Sequence, residues 1–189
     1  MIDRRRMLAL AAGALVGLAP RRGRADTMSH LTAYAFTFNG LDGGEIRLAA
    51  HAGRPILVVN TASLCGYTPQ YAGLQQLWMR FRANGLFVLG APSNDFGSQE
   101  PGGAAEIVKT AQGEFHVTFP LTEKVAVKGQ DAHPFYRWAA HERPLEAPRW
   151  NFHKYLIGRD GRLVAGFTSA MEPTDSLIVA AIEKELTPA

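Results

Sequence analysis

One short run, Pro55-Ile56-Leu57-Val58-Val59-Asn60, constrains the fold more than any other stretch. It is continuously apolar and β-branched, which is the mark of a strand covered on both faces. Such a strand needs helices on each side of its sheet, and the flanking sequence supplies them. Leu74, Leu77, Trp78 and Phe81 repeat at i, i+3, i+4 and i+7, the apolar face of a helix, and Asn84-Gly85 provides its stop. Leu86 to Leu89 reads as a second buried strand. A short helix is expected over Ala104 to Ala111, a strand near Thr118 to Leu121, and another short helix over Pro134 to His141.

The two ends of this unit carry their own signals. Ala33 to Phe38 and Glu45 to Leu48 flank Asn39-Gly40 and Asp42-Gly43, which suits a hairpin. Tyr155 to Ile157 and Leu163 to Phe167 flank Gly158-Arg159-Asp160-Gly161, a second hairpin signal. The chain closes on an amphipathic helix, with Pro173 near its start and Leu177, Ile178, Ala181 and Ile182 on one face. The pattern is α/β, with a mixed parallel and antiparallel sheet flanked by helices. There is no internal repeat, low-complexity tract or linker, and 189 residues suit a single domain, spanning residues 26–189.

The first 25 residues read differently. Arg4, Arg5 and Arg6 precede an apolar stretch from Met7 to Pro20, and the small residues Gly23 and Ala25 fit a cleavage site before Asp26. The apolar stretch is too short for a stable bilayer anchor. Arg4-Arg5-Arg6-Met7-Leu8 resembles a bacterial twin-arginine signal, so export to the periplasm, with removal of residues 1–25, is expected.

Removing that segment also changes the charge argument. It holds Arg4, Arg5, Arg6, Arg21, Arg22 and Arg24 against Asp3, or +5 of a total of +3, which leaves a domain of −2. A slightly acidic domain without a lysine or arginine cluster has no electrostatic footprint for nucleic acid. The six histidines lack the close pairing with carboxylates or cysteine that a metal site needs. No phosphate loop or dinucleotide fingerprint is present either, so neither a metal nor a bound cofactor is expected.

A single cysteine, Cys65, then draws attention. One thiol cannot make a disulfide within its own chain, so in an oxidising compartment it is either inert or there to react. Cys65 follows the buried strand and precedes the first helix, in Asn60-Thr61-Ala62-Ser63-Leu64-Cys65-Gly66-Tyr67-Thr68-Pro69. The carboxyl end of a strand is where open α/β sheets place their sites, and a helix amino terminus favours a thiolate. Position alone leaves a buried, unreactive cysteine equally open.

Asn60 to Thr68 resembles the signature around the peroxidatic residue of the glutathione peroxidase family. Pro92-Ser93-Asn94-Asp95-Phe96-Gly97-Ser98-Gln99-Glu100-Pro101-Gly102 is similar to that family's second signature, and Trp150-Asn151-Phe152 to its third. His116-Val117-Thr118-Phe119-Pro120 and Asp131-Ala132-His133-Pro134 fit between them, so the resemblance runs from about Leu31 to Leu186. It implies a thioredoxin-like fold and thiol-dependent reduction of hydrogen peroxide or organic (lipid) hydroperoxides. By the same resemblance, Cys65 is the peroxidatic residue, and Gln99, Trp150 and Asn151 complete the catalytic set. The two amides and the indole are neutral donors, able to stabilise a thiolate and a departing oxygen without an ion pair.

The chain departs from the family in two respects. Many cysteine-containing members resolve the oxidised thiol with a second cysteine, and here the matching position falls at or near Ala111; Ser93 also stands where a cysteine is usual. The implied cycle is therefore a one-cysteine cycle, in which Cys65 sulfenic acid is recycled by an external thiol such as glutathione or a thioredoxin-like protein. Only His141 to Arg149 separates Trp138 from Trp150, which resembles the compact form without the assembly loop and implies a monomer. Arg149 is a candidate contact for the carboxylate of a thiol substrate. The competing readings are a thiol–disulfide oxidoreductase and a redox sensor. The first is disfavoured because residue 68 is Thr, so no Cys-x-x-Cys pair exists.

Overall fold

The structure is a computed structural model that describes residues 31–187; the export-signal reading of residues 1–25 lies outside the described residues. The apolar run becomes strand β3 (Ile56–Thr61), following a hairpin of β1 (Thr37–Asn39) and β2 (Glu45–Arg47). Helix α1 (Gln70–Phe81) leads from it to β4 (Phe87–Pro92). After α2 (Ala104–Val108) and α3 (Pro134–Glu142), β5 (Lys154–Ile157) and β6 (Leu163–Phe167) complete the sheet, and α4 (Ser176–Leu186) covers it. The sheet runs β4-β3-β5-β6. β3 and β4 are parallel, whereas β5 is antiparallel to both β3 and β6.

Every residue of β3 is buried, and its alternation sorts the core into two halves. Leu57 and Val59 pack with Tyr71, Leu74 and Leu77 of α1 and with Ile178 and Ile182 of α4. Ile56 and Val58 face Phe38 and Leu48 and, from α3, Phe135, Tyr136 and Trp138. The carboxyl end of this doubly covered strand opens into the loop that carries Cys65.

Four local expectations change. Ala33 to Ala35 forms a 3₁₀ turn, so the first strand holds only its last residues. The segment Thr118 to Leu121 makes a single parallel bridge, Leu121 to Gly90, in place of a strand. Pro120 accepts from the Gly90 N–H at 3.0 Å but has no N–H of its own, so the ladder stops there. The helix from Ala104 is α-helical only to Val108 and then widens to a π-helical turn over Lys109–Glu114. Finally, Leu177 is exposed, and only Ile178 and Ile182 of the four proposed face residues are fully buried. The Asp175 side chain caps α4 by accepting from the Leu177 N–H, which sets Leu177 in the first turn, off the buried stripe.

Candidate active site

Cys65 sits in the turn between β3 and α1, only 7% exposed. The helix begins five residues later, at Gln70, so the thiol does not occupy the helix amino terminus as its place in the sequence suggested. The turn is held by Thr68. Its Oγ1 accepts from the Cys65 N–H at 3.0 Å and donates to the Ala62 carbonyl at 2.9 Å, while the Thr68 N–H donates to the Cys65 carbonyl. The donor that reaches the sulfur is the Tyr67 N–H, 3.4 Å from Sγ. This backbone amide, aimed at the sulfur from within a tight turn, is the hydrogen-bond donor the turn itself supplies to Cys65. A Cβ at Gly66 would meet open space, so packing within the chain does not demand a glycine there.

The second loop packs against this turn. The Leu64 N–H donates to the Gln99 carbonyl at 3.0 Å, and the Ser63 hydroxyl donates to Oε2 of Glu100 at 3.2 Å. The third loop joins them through Asn60, whose Nδ2 donates to the Trp150 carbonyl at 3.1 Å and whose carbonyl accepts from the Phe152 N–H. The Asn151 side chain, fully buried, donates to Oε1 of Gln99 at 3.0 Å and to the Phe96 carbonyl at 3.3 Å. The Trp150 ring lies over Gly97 and beside Phe96, 6.0 Å between ring centroids.

The four expected residues thus lie on three interlocked loops, but not in the donor arrangement that the sequence suggested. Both N–H bonds of the Asn151 amide are spent on Gln99 and Phe96, so Asn151 orients Gln99 and does not donate to sulfur. The Gln99 carboxamide oxygen is occupied by Asn151, which leaves its NH₂ unpaired among the described residues. The Trp150 indole is 39% exposed, which excludes a core role, and its N–H also has no protein partner among the described residues.

Several features escaped the sequence reading. Ser98 and Phe152, neighbours of Gln99 and Asn151, adopt left-handed backbone at φ 51° and 62°. Non-glycine residues adopt that region at a cost and concentrate at functional sites. Glu100 is fully buried, with Oε1 unpaired among the described residues, and burial pushes its carboxyl up from the usual range. Lys154 is equally buried. Its ammonium donates to Oε1 of Gln70 at 2.6 Å and to the Met171 carbonyl, and burial lowers its pKa to about 8. That contact ties the first residue of α1 to the loop after β6. Burial also lowers His153 to about 4, so its ring is neutral at neutral pH. No periodicity or motif marked these residues as buried; Thr68 alone, three residues after Cys65, had a readable signal as a turn-forming hydroxyl.

A sequence model described as glutathione peroxidase matches residues 33–140 of this chain. The chain belongs to the glutathione peroxidase family. It is 44% identical over 164 residues to a hydroperoxy fatty acid reductase of Synechocystis, covering 82% of this chain and 96% of that one. It is 39% identical over 156 residues to a glutathione peroxidase-like peroxiredoxin of Chlamydomonas reinhardtii, covering 81% and 95%. Among solved structures, the apo crystal structure of Trgpx superposes with a TM-score of 0.67 at 34% identity, covering 84% of this chain and 99% of that one. The fold is thioredoxin-like, and the activity is the thiol-dependent reduction of hydroperoxides. A hydroperoxide and a thiol reductant are its reaction partners.

Proposed function

We propose that this peroxidase runs a one-cysteine cycle on Cys65. The Cys65 thiolate attacks the outer peroxide oxygen, the O–O bond breaks, and the sulfur leaves as sulfenic acid, oxidised by two electrons. The departing alkoxide or hydroxide takes a proton and becomes alcohol or water. An external thiol then condenses with the sulfenic acid, releasing water, and a second thiol cleaves the mixed disulfide. The Tyr67 amide supports the thiolate. The Gln99 NH₂ and the Trp150 indole N–H steady the sulfur and the departing oxygen once peroxide is bound; apo hydrogen bonds of this kind commonly tighten only in the complex. Asn151 acts on Gln99 as a positioning residue.

The observation that carries this reading is the Asn151–Gln99 bond, which spends the acceptor end of Gln99 and leaves its donor end for chemistry. The external reductant follows from the cysteine count together with Ala111, which lies fully buried in the same apolar cluster as Cys65. Steady-state turnover with glutathione and with a thioredoxin system, alongside mass spectrometry of the oxidised protein, tests the cycle. A mixed disulfide at Cys65 with the reductant that sustains turnover is the expected species. Sustained turnover through a disulfide between two copies of the chain would contradict it.

Export to the periplasm, with loss of residues 1–25, belongs to the same proposal and rests on Arg4 to Arg6, the apolar stretch and the small residues before Asp26. Among the described residues no helix is long and apolar enough to cross a membrane. The short segment between Trp138 and Trp150 supports a monomer. Protein recovered from the periplasm is expected to begin at Asp26; a cytoplasmic protein retaining Met1 would overturn the export reading.

A further inference from the structure

One charged side chain lies fully inside the core without a role in the proposed cycle. The Lys154 ammonium on β5 meets only neutral oxygens: Oε1 of Gln70 at 2.6 Å, the Met171 carbonyl at 2.5 Å and, at 3.5 Å, the Thr168 carbonyl. It makes no ion pair among the described residues. A buried charge without a carboxylate on it is costly to keep, and an apolar residue of similar volume commonly packs as well or better. Stability alone therefore does not account for a lysine at this position.

What the ammonium holds is the start of α1. Gln70, the first residue of that helix, is itself buried. Its Nε2 donates to the Ser169 carbonyl at 2.8 Å and to Oε1 of Glu172 at 3.3 Å, so Gln70 and Lys154 together fasten the helix to the loop after β6. One turn on, a Cβ at Gly73 would lie 3.2 Å from the Pro173 ring, so helix and loop are in close contact there as well. From Gln70 the path continues to the sulfur. The Gln70 N–H donates to the Tyr67 carbonyl at 2.9 Å and the Tyr71 N–H to the Thr68 carbonyl at 3.0 Å. Tyr67 and Thr68 in turn carry the bonds to Sγ and to the Cys65 N–H.

We propose that Lys154 is a positioning residue for Cys65: through Gln70 it fixes the first turn of α1, and with it the Tyr67 amide on Sγ, in the geometry that reacts with peroxide. The inference rests on the peroxidase reading of Cys65 and adds to it a residue whose own bonds do not reach the sulfur. Electrons and protons move as in the proposed cycle. Burial lowers the amine to about 8, so the brace weakens just above neutral pH. A neutral amine keeps two N–H bonds but loses their charge assistance. The surrounding groups keep their states over that range. Glu172 is the acidic neighbour and favours the charged amine, His153 beside it on β5 is already neutral, and burial holds the Tyr71 phenol of α1 protonated.

The test is single-turnover oxidation of the reduced protein by hydrogen peroxide, without any reductant, from about pH 7 to about pH 9. The thiolate fraction is read at each pH from its ultraviolet absorbance, so that the titration of Cys65 itself divides out. The wild-type rate per thiolate is expected to fall about threefold or more across that range, centred near 8. Lys154→Met should react about tenfold more slowly at neutral pH and show no such fall. Gln70→Leu should do the same, and the two substitutions together should slow the reaction no more than either alone. A wild-type rate per thiolate that stays level overturns the proposal, and that measurement needs no variant to fold. So does a fall that Lys154→Met retains, a folded Lys154→Met that reacts as fast as the wild type, or additive effects of the two substitutions. Failure of the peroxidase reading looks different: Cys65 would then be inert to hydrogen peroxide at every pH.

Discussion

Cys65 and Ala111 pack into the same apolar cluster, yet the chain treats them in opposite ways. Cys65 sits in a turn whose Tyr67 N–H reaches the sulfur at 3.4 Å, and whose backbone is hydrogen-bonded to the loop that carries Gln99. Ala111 is fully enclosed in the π-helical turn, where its carbonyl accepts from the Val117 N–H at 2.9 Å. Cys65 keeps a small exposure of 7% in its turn, whereas Ala111 has none. Thiol chemistry in this fold is thus set by the loops around a position, and the shared core contributes only support. On the proposed cycle, a domain built this way oxidises its one thiol and borrows the reductant.

That contrast can be tested at several strengths. Cys65→Ser should remove peroxide consumption by at least about a thousandfold, measured with hydrogen peroxide and excess reductant. Ala111→Cys should add a thiol that reacts with a charged alkylating reagent roughly a hundredfold more slowly than Cys65, because it needs local opening. Equal labelling of the two thiols would erase the distinction. Gln99→Ala should slow the first oxidation step by about tenfold to a hundredfold with the melting temperature unchanged, read by stopped flow; unaltered kinetics would remove Gln99 from the site.

Smaller effects probe the support. Thr68→Val strands the Cys65 N–H and the Ala62 carbonyl, and should cost about 1–3 kcal/mol in denaturant unfolding. The His153 prediction concerns pH. The unfolded imidazole takes up its proton near 6.5, whereas the folded one does so only near 4. Stability from this group is therefore complete above the unfolded value and is lost as pH falls from about 6.5 towards 4, by at most roughly 3 kcal/mol. His153→Phe should flatten that acid limb; an identical slope would show that the folded ring is not held neutral.

The architecture was legible because β3, β4 and the helix faces announce burial through periodicity, which tertiary contacts reinforce. It failed where one residue overrode a pattern. Pro120 removed the donor that a strand over Thr118 to Leu121 needed, and the Asp175 cap fixed the phase of α4 so that Leu177 faces solvent. The site was legible as a set of residues, because signatures record identity. Its wiring was not. Whether Asn151 donates to sulfur or to Gln99 depends on loop distances that only the folded chain defines, and the burial of Glu100, His153 and Lys154 left no trace in local composition.

The most direct test of the central claim is titration of the reduced protein, residues 26–189, with hydrogen peroxide in the absence of any thiol, counting peroxide consumed and trapping the product. The account predicts one peroxide per chain, a trappable sulfenic acid at Cys65, and no consumption by Cys65→Ser. A wild-type thiol that survives excess peroxide unmodified, or consumption that persists in Cys65→Ser, would contradict it.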